Sequence, residues 1–174
     1  TKAISRVFSL IMLRGINENT LDIAFVSHYQ PLPSEYATIP IAQTETMWCT
    51  TSNHPFSQRE YLTIEDLRDE SLVLFQSGFN LHDVVYDRFK AANITPNVLH
   101  ETSQLTMIYA LVKNGMASGF LMYSVASYFQ DLVLIPMRPA FIATISLVWL
   151  PQRNMTADTK LLIDYYKSRA SNQL

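Results

Sequence analysis

Between residues 53 and 123, short apolar runs alternate with amphipathic segments. The runs are Leu72-Val73-Leu74-Phe75, Asn97-Val98-Leu99-His100 and Gly119-Phe120-Leu121-Met122. Over residues 80–93, Leu81, Val84, Val85 and Phe89 recur at helical spacing, while Asp83, Asp87, Arg88 and Lys90 fall on the wet face. Over residues 103–114, Leu105, Ile108, Leu111 and Val112 do the same, and Gly115 ends the pattern. The order strand, helix, strand, helix, strand predicts an α/β fold with a parallel, doubly wound sheet. Such sheets hold ligands beyond the carboxyl ends of their strands, against helix N-termini. The polar residues at those ends are Gln76, Ser77, Asn80, Thr102, Ser103 and Gln104. They suit a small polar molecule, and no catalytic apparatus accompanies them.

The flanks carry weaker patterns. Ile4, Val7, Phe8 and Ile11 predict a helix over 3–14, with Gly15 as its stop. Residues 21–26 read as a buried strand, and 27–36 as a loop because of Pro31 and Pro33. Residues 39–50 suggest one or two strands. Residues 63–67 form a short capped helix, with Thr63 as N-cap and Asp66 three residues on. A short helix over 124–129, strands over 132–135 and 145–150, and a closing helix over 156–168 complete the chain. Pro136 and Pro139 place a connection between the last two strands. The stretches 40–54 and 136–146 are placed to carry the chain out to a second lobe and back, leaving a cleft between two α/β lobes.

Composition narrows the chemistry. The chain has 174 residues, enough for one domain or two small lobes, and no apolar run reaches the ~18 residues of a membrane helix. Thirteen basic residues against fifteen acidic ones give a net charge of −2, with no Lys/Arg stripe to grip nucleic acid. The single Cys49 excludes an internal disulfide and, within Met47-Trp48-Cys49, reads as a small core side chain rather than a nucleophile. Four glycines make neither a GxGxxG nor a GxxxxGK[ST] loop. His28, His54, His82 and His100 lack metal-ligand spacing, so neither a metal nor a cofactor is expected. Ser77 has no GxSxG setting, and Glu65, Asp66, Asp69 and Glu70 read as a solvated face.

Four further motifs, in order, resemble the effector-binding domain of LysR-type transcriptional regulators. Asn19-Thr20-Leu21-Asp22-Ile23-Ala24-Phe25-Val26 is similar to that family's G-x-L-D-hydrophobic strand, and Asn53-His54-Pro55-Phe56 to its HPL crossing. Thr63-Ile64-Glu65-Asp66-Leu67 is similar to its sl-x-dL helix. The run Leu111-Val112-Lys113-Asn114-Gly115-Met116-Ala117-Ser118-Gly119-Phe120 is similar to its LV-x-x-G-x-G-hydrophobic segment. The resemblance implies two Rossmann-like lobes of the type II periplasmic-binding-protein fold, clamping a small effector. Residues 1–50 and 143–174 would belong to lobe I and residues 51–142 to lobe II. It further implies a cytoplasmic regulator, a homodimer or homotetramer, meeting promoter DNA through an N-terminal helix-turn-helix that lies outside this chain. The first strand, helix and strand of lobe I are also missing from the pattern, so lobe I is incomplete. From Gly115 to Tyr123 the second glycine is displaced and the usual proline is lost, which alters one cleft wall.

On this basis the ligand-binding candidates are Ser27, His28, Gln76, Ser77, Phe79, Asn80, Thr102, Ser103 and Phe120. Ser27 and His28 end a strand facing the cleft, or begin a solvated loop. The 76–80 segment meets a helix N-terminus, whose dipole favours an anion by roughly 0.3–1 kcal/mol, which brings carboxylates among the effector classes. Ser77 or Asn80 could equally cap that helix, and one of Thr102 and Ser103 is expected to cap the next. Phe120 lines the cleft or belongs to the core. Arg138 lies near the return crossing, to meet an effector carboxylate or a surface acid. Two rival functions share the fold: a solute-binding protein of a transport system, and an enzyme using the cleft, for which no positioned base is visible.

Overall fold

The computed structural model describes residues 7–170. Its elements are α1 (Val7–Asn17), β1 (Ile23–His28), β2 (Ala37–Thr50), a 3-10 turn (Glu65–Leu67), β3 (Ser71–Phe75), α2 (Asn80–Ala91), β4 (Asn97–Thr102), α3 (Leu105–Lys113), β5 (Ser118–Met122), α4 (Tyr123–Ala126), β6 (Val133–Trp149) and α5 (Ala157–Ala170). The β3-α2-β4-α3-β5 succession predicted from hydrophobic spacing is present, and β3 pairs in parallel with both β4 and β5. The sheet as a whole is mixed, with order β1-β6-β2-β5-β3-β4, because β1, β2 and β5 make antiparallel pairs.

Two long strands run through both halves of this sheet. β2 is a single 14-residue strand and β6 a single 17-residue strand. The break expected at Pro136 and Pro139 is therefore a local irregularity inside β6. Met47 faces Pro136 and Thr46 faces Phe141, so residues 137–140 leave the ladder together. A proline cannot donate to a ladder; Pro139 lies inside this excursion and Pro136 at its edge. Leu62 fills the gap: its N–H donates to the Pro136 carbonyl at 3.0 Å, and its own carbonyl accepts from the Arg138 N–H at 2.7 Å.

The core divides into four clusters. Around β1 and the outer part of β6, Leu13, Ile16, Val26 and Val148 pack on one sheet face. Ile39, Leu147, Trp149 and Ile163 pack on the other. Around β3 and β5, Trp48, Leu72, Leu74, Val85, Phe89 and Phe120 gather beneath α2. Cys49, Val73, Ile108, Val112 and Leu121 gather beneath α3. Helices thus cover both faces of the parallel portion, as double winding requires.

Several element ends differ from expectation. The predicted start of the first helix lies outside the described residues. Its end is at Asn17, beyond Gly15, and the left-handed residue is Asn19, with φ of 64°. Gly15 lies where the chain folds back on the helix, and a Cβ there would meet Leu21 Cδ1 at 2.8 Å, so the Leu21 side chain would have to shift. The segment expected as a capped helix over 63–67 is a 3-10 turn over Glu65–Leu67 whose N-cap position is Ile64, not Thr63; one Asp66 carboxylate oxygen accepts from the Thr63 N–H at 2.8 Å and from its hydroxyl at 3.0 Å.

Candidate functional site

β1 and β3 both end beside the first turn of α2. Asn80, the first residue of that helix, crosses the gap: its side-chain amide donates to the Ser27 carbonyl. The residue in the capping position is Phe79, with extended backbone and no hydrogen-bonding side chain, so neither Ser77 nor Asn80 caps α2. Phe79 instead stacks on Phe75, the last residue of β3, with ring centroids 4.8 Å apart. The next helix is also capped differently from expectation. Its N-cap is Gln104, and the Thr102 hydroxyl accepts from the Gln104 N–H at 3.1 Å in a local turn.

Two crevices flank Asn80. The first, of about 360 Å³, lies between α1, the residues following β1, α2 and the β6 excursion. Its polar groups include His28, Asp83, Asp87 and Arg88. The second, of about 380 Å³, is lined by Ser27 and by Phe25, Phe75, Phe79, Leu105, Met122 and other apolar residues, with no charged side chain among the described residues. Each volume lies in the range of small-molecule sites. Asn80 lines both.

The polar groups of the first crevice are unequally available. Both His28 ring nitrogens are engaged: Nδ1 is 2.8 Å from the Gln30 carbonyl and Nε2 is 2.9 Å from the Ser146 hydroxyl. Because a carbonyl only accepts, Nδ1 carries the proton and Nε2 accepts from Ser146. The Arg88 guanidinium donates to the Pro139 and Ala140 carbonyls at 3.5 and 3.2 Å and lies over the Phe141 ring at 4.6 Å. Tyr29 closes the wall, its hydroxyl 2.7 Å from Thr46, and burial pushes its phenol up to about 12. Asp83 has one oxygen 2.8 Å from His82 Nδ1, while the other is buried with no hydrogen-bond partner. Asp87 is exposed and makes no ion pair among the described residues.

Of the candidates from sequence, Ser27, Phe79 and Asn80 meet at the apolar crevice, and His28 and Asn80 at the charged one. Gln76 and Ser77 are exposed and line neither crevice; the Gln76 N–H bonds to the Thr102 carbonyl at 2.9 Å. Thr102 is buried, Ser103 exposed, and neither reaches a crevice. Phe120 is a core residue, 2% exposed, stacked on Phe141 at 5.9 Å. Arg138 pairs with Glu45 at 3.7 Å. Sequence reasoning missed Phe25, Phe75, Asp83 and Asp87. The i,i+4 spacing of the two aspartates was the available signal, since it puts both on one helix face. No group of three or more His, Cys, Asp or Glu is placed to hold a metal among the described residues. Cys49 is buried, its thiol 3.2 Å from the Gly119 carbonyl, and burial pushes the thiol up to about 12, the setting of a core side chain. None of the described helices is long and apolar enough to cross a membrane.

Residues 8–171 match the family model described as the LysR substrate binding domain. Among curated proteins, the chain is 30% identical over 108 residues to the transcriptional dual regulator GltC of Bacillus subtilis, covering 60% of this chain and 35% of that protein. It is 21% identical to the HTH-type regulator YwbI of the same organism, covering 92% of this chain and 54% of that one. The chain thus spans between about a third and just over half of these relatives' lengths. Among solved structures, the effector binding domain of QuiR in complex with shikimate superposes with a TM-score of 0.80 at 16% identity, covering 93% of this chain and 78% of that one. The Synechocystis CcmR regulatory domain in complex with 2-PG gives 0.80 at 15% identity, covering 93% and 79%.

Proposed function

This chain belongs to the LysR substrate binding domain family, and on that premise we propose that it is the effector-sensing part of a bacterial transcription regulator. A small organic molecule is held where β1, β3 and α2 converge, and its binding alters the regulator's hold on promoter DNA. The observation that carries this reading is the pair of crevices sharing Asn80, whose amide ties the start of α2 to the end of β1. A ligand there contacts both halves of the sheet and so favours one relative setting of them over another, which is all an effector needs in order to shift a population. In this reading the halves are lobe I, residues 1–50 and 143–174, and lobe II, residues 51–142. Ser27, Phe79 and Asn80 contact the ligand, and His28 shapes the wall. The whole protein works as a cytoplasmic homodimer or homotetramer and meets DNA through a helix-turn-helix outside this chain. That the relatives named above are transcriptional regulators favours this over a transport role.

The test is a thermal-shift screen of small metabolites against the chain and its Asn80→Ala variant. A ligand at ~100 times its dissociation constant should add about 2.7 kcal/mol of stability. The stabilisation should shrink or vanish in the variant. Ligands that stabilise both proteins equally would place binding elsewhere.

A further inference from the structure

The effector class follows from what lines the second crevice; this rests on the function proposed above. That crevice is where strand ends and helix starts converge. β1 brings Ser27, β3 ends on Phe75 and β5 on Met122. α2 brings Phe79 and Asn80, α3 begins at Leu105, and α4 adds Val125. Such convergences hold polar ligands when hydroxyls and amides occupy the helix starts. Here the N-cap positions of α2 and α4 are Phe79 and Met122, and neither helix has a side-chain capping bond. Ser27 and Asn80 are the polar side chains of the lining, and no charged one joins them among the described residues.

Phe75 and Phe79 stack with ring centroids 4.8 Å apart and, like Leu105, Met122 and Val125, are only partly buried. Covering those apolar faces with hydrocarbon releases their water and is favourable in proportion to the area covered. An ionised group brought among them would lose its hydration with no counter-ion in return. Size sets a further bound. A dry cavity of ~150 Å³ takes one benzene molecule. The second crevice, at about 380 Å³, therefore admits one ring with a short side chain, or a short alkyl chain with its polar end.

We infer that the effector is an uncharged, mainly apolar small molecule seated in this crevice alone. Its ring or alkyl part lies against the Phe75–Phe79 stack, and its polar group lies at the Ser27–Asn80 end.

The test uses matched probes on the 174-residue chain, read by ligand-observed saturation-transfer NMR with thermal shift. The probes are benzyl alcohol, benzylamine and benzoate, and hexanol, hexylamine and hexanoate. Each alcohol should bind about tenfold or more tightly than the amine and the carboxylate of its skeleton. Phe79→Ala should weaken the alcohols about tenfold. Leu105→Trp, which fills the crevice from a partly buried position, should abolish their binding. Carboxylates or amines binding best, in a manner lost in either variant, would overturn the uncharged class and keep the effector site. Alcohol binding that ignores both variants would overturn the seat in this crevice. Where no probe binds, the Asn80-dependent hits of the metabolite screen decide. Uncharged apolar hits that Leu105→Trp abolishes uphold the inference, and any other hits overturn it while keeping the site. No hit at all would overturn both.

Discussion

At the scale of single residues, Asn80 carries the most consequence. Its amide donates to a backbone carbonyl of β1, so Asn80→Ala should cost about 1 kcal/mol of stability in urea denaturation, the ordinary net worth of one such bond. A loss of several kcal/mol would mean that the residue holds the core, and the distinction between support and ligand contact would fail. Phe120 makes the opposite case. It is buried against Phe141, and Phe120→Ala should cost about 3–5 kcal/mol while leaving the crevice walls in place. Two buried acids set an alkaline limit. Burial raises the Cys49 thiol from 9.0 and the Tyr29 phenol from 10.0, each to about 12, whereas the unfolded chain ionises at the lower values. The stability they contribute is therefore complete below about pH 9 and is lost as pH rises toward 12. A stability profile over that window should decline, and Cys49→Ala should flatten part of the decline; a profile that rises would contradict both assignments.

At the scale of elements, the turn before β3 depends on Asp66, whose carboxylate holds the Thr63 N–H and hydroxyl. Asp66→Ala should cost roughly 0.5–2 kcal/mol, as loss of a helix cap does. Thr63→Ala should cost less, because it removes one of the two bonds. The central elements were legible because their apolar residues keep strict spacing and Gly115 closes the second helix with a recognisable stop. The long strands were not legible, since Pro136 and Pro139 carry the local signature of a break. Only tertiary pairing reveals that Leu62 takes over the missing bonds across residues 136–138. The helix starts were misread for a similar reason. Serine and threonine are good caps in isolation, but Thr102 closes its own turn, and the N-cap position falls to Gln104, whose side chain makes no capping bond. The site was half legible. Asn80, at the start of a helix that follows a strand, follows from topology, and Ser27, at the end of β1, from the family resemblance. The separation of Phe79 at the crevice from Phe120 in the core follows from which sheet face each meets, and short apolar runs do not encode that.

At the scale of the molecule, four separate apolar clusters sit on one continuous sheet, and only β2 and β6 run between its halves. Between them run extended backbone, the Asn80–Ser27 tie and the side chains of Trp48, Cys49 and Tyr29, which reach into the clusters beneath α2 and α3. On the function proposed above, a molecule lodged at the Asn80–Ser27 tie acts on the relative setting of the halves. The irregular ladder at Thr46 and Met47, opposite the proline excursion, marks where the two strands are least regularly bonded. The measurement that most directly tests this account is backbone NMR shift mapping, with a stabilising ligand titrated into the chain. The amides of residues 27–29 and 79–84 should move together with one saturation constant, and the affinity should fall in the Asn80→Ala variant. Shifts confined to α5 or to the exposed edge of β4, with residues 27–29 and 79–84 unmoved at saturation, would contradict it.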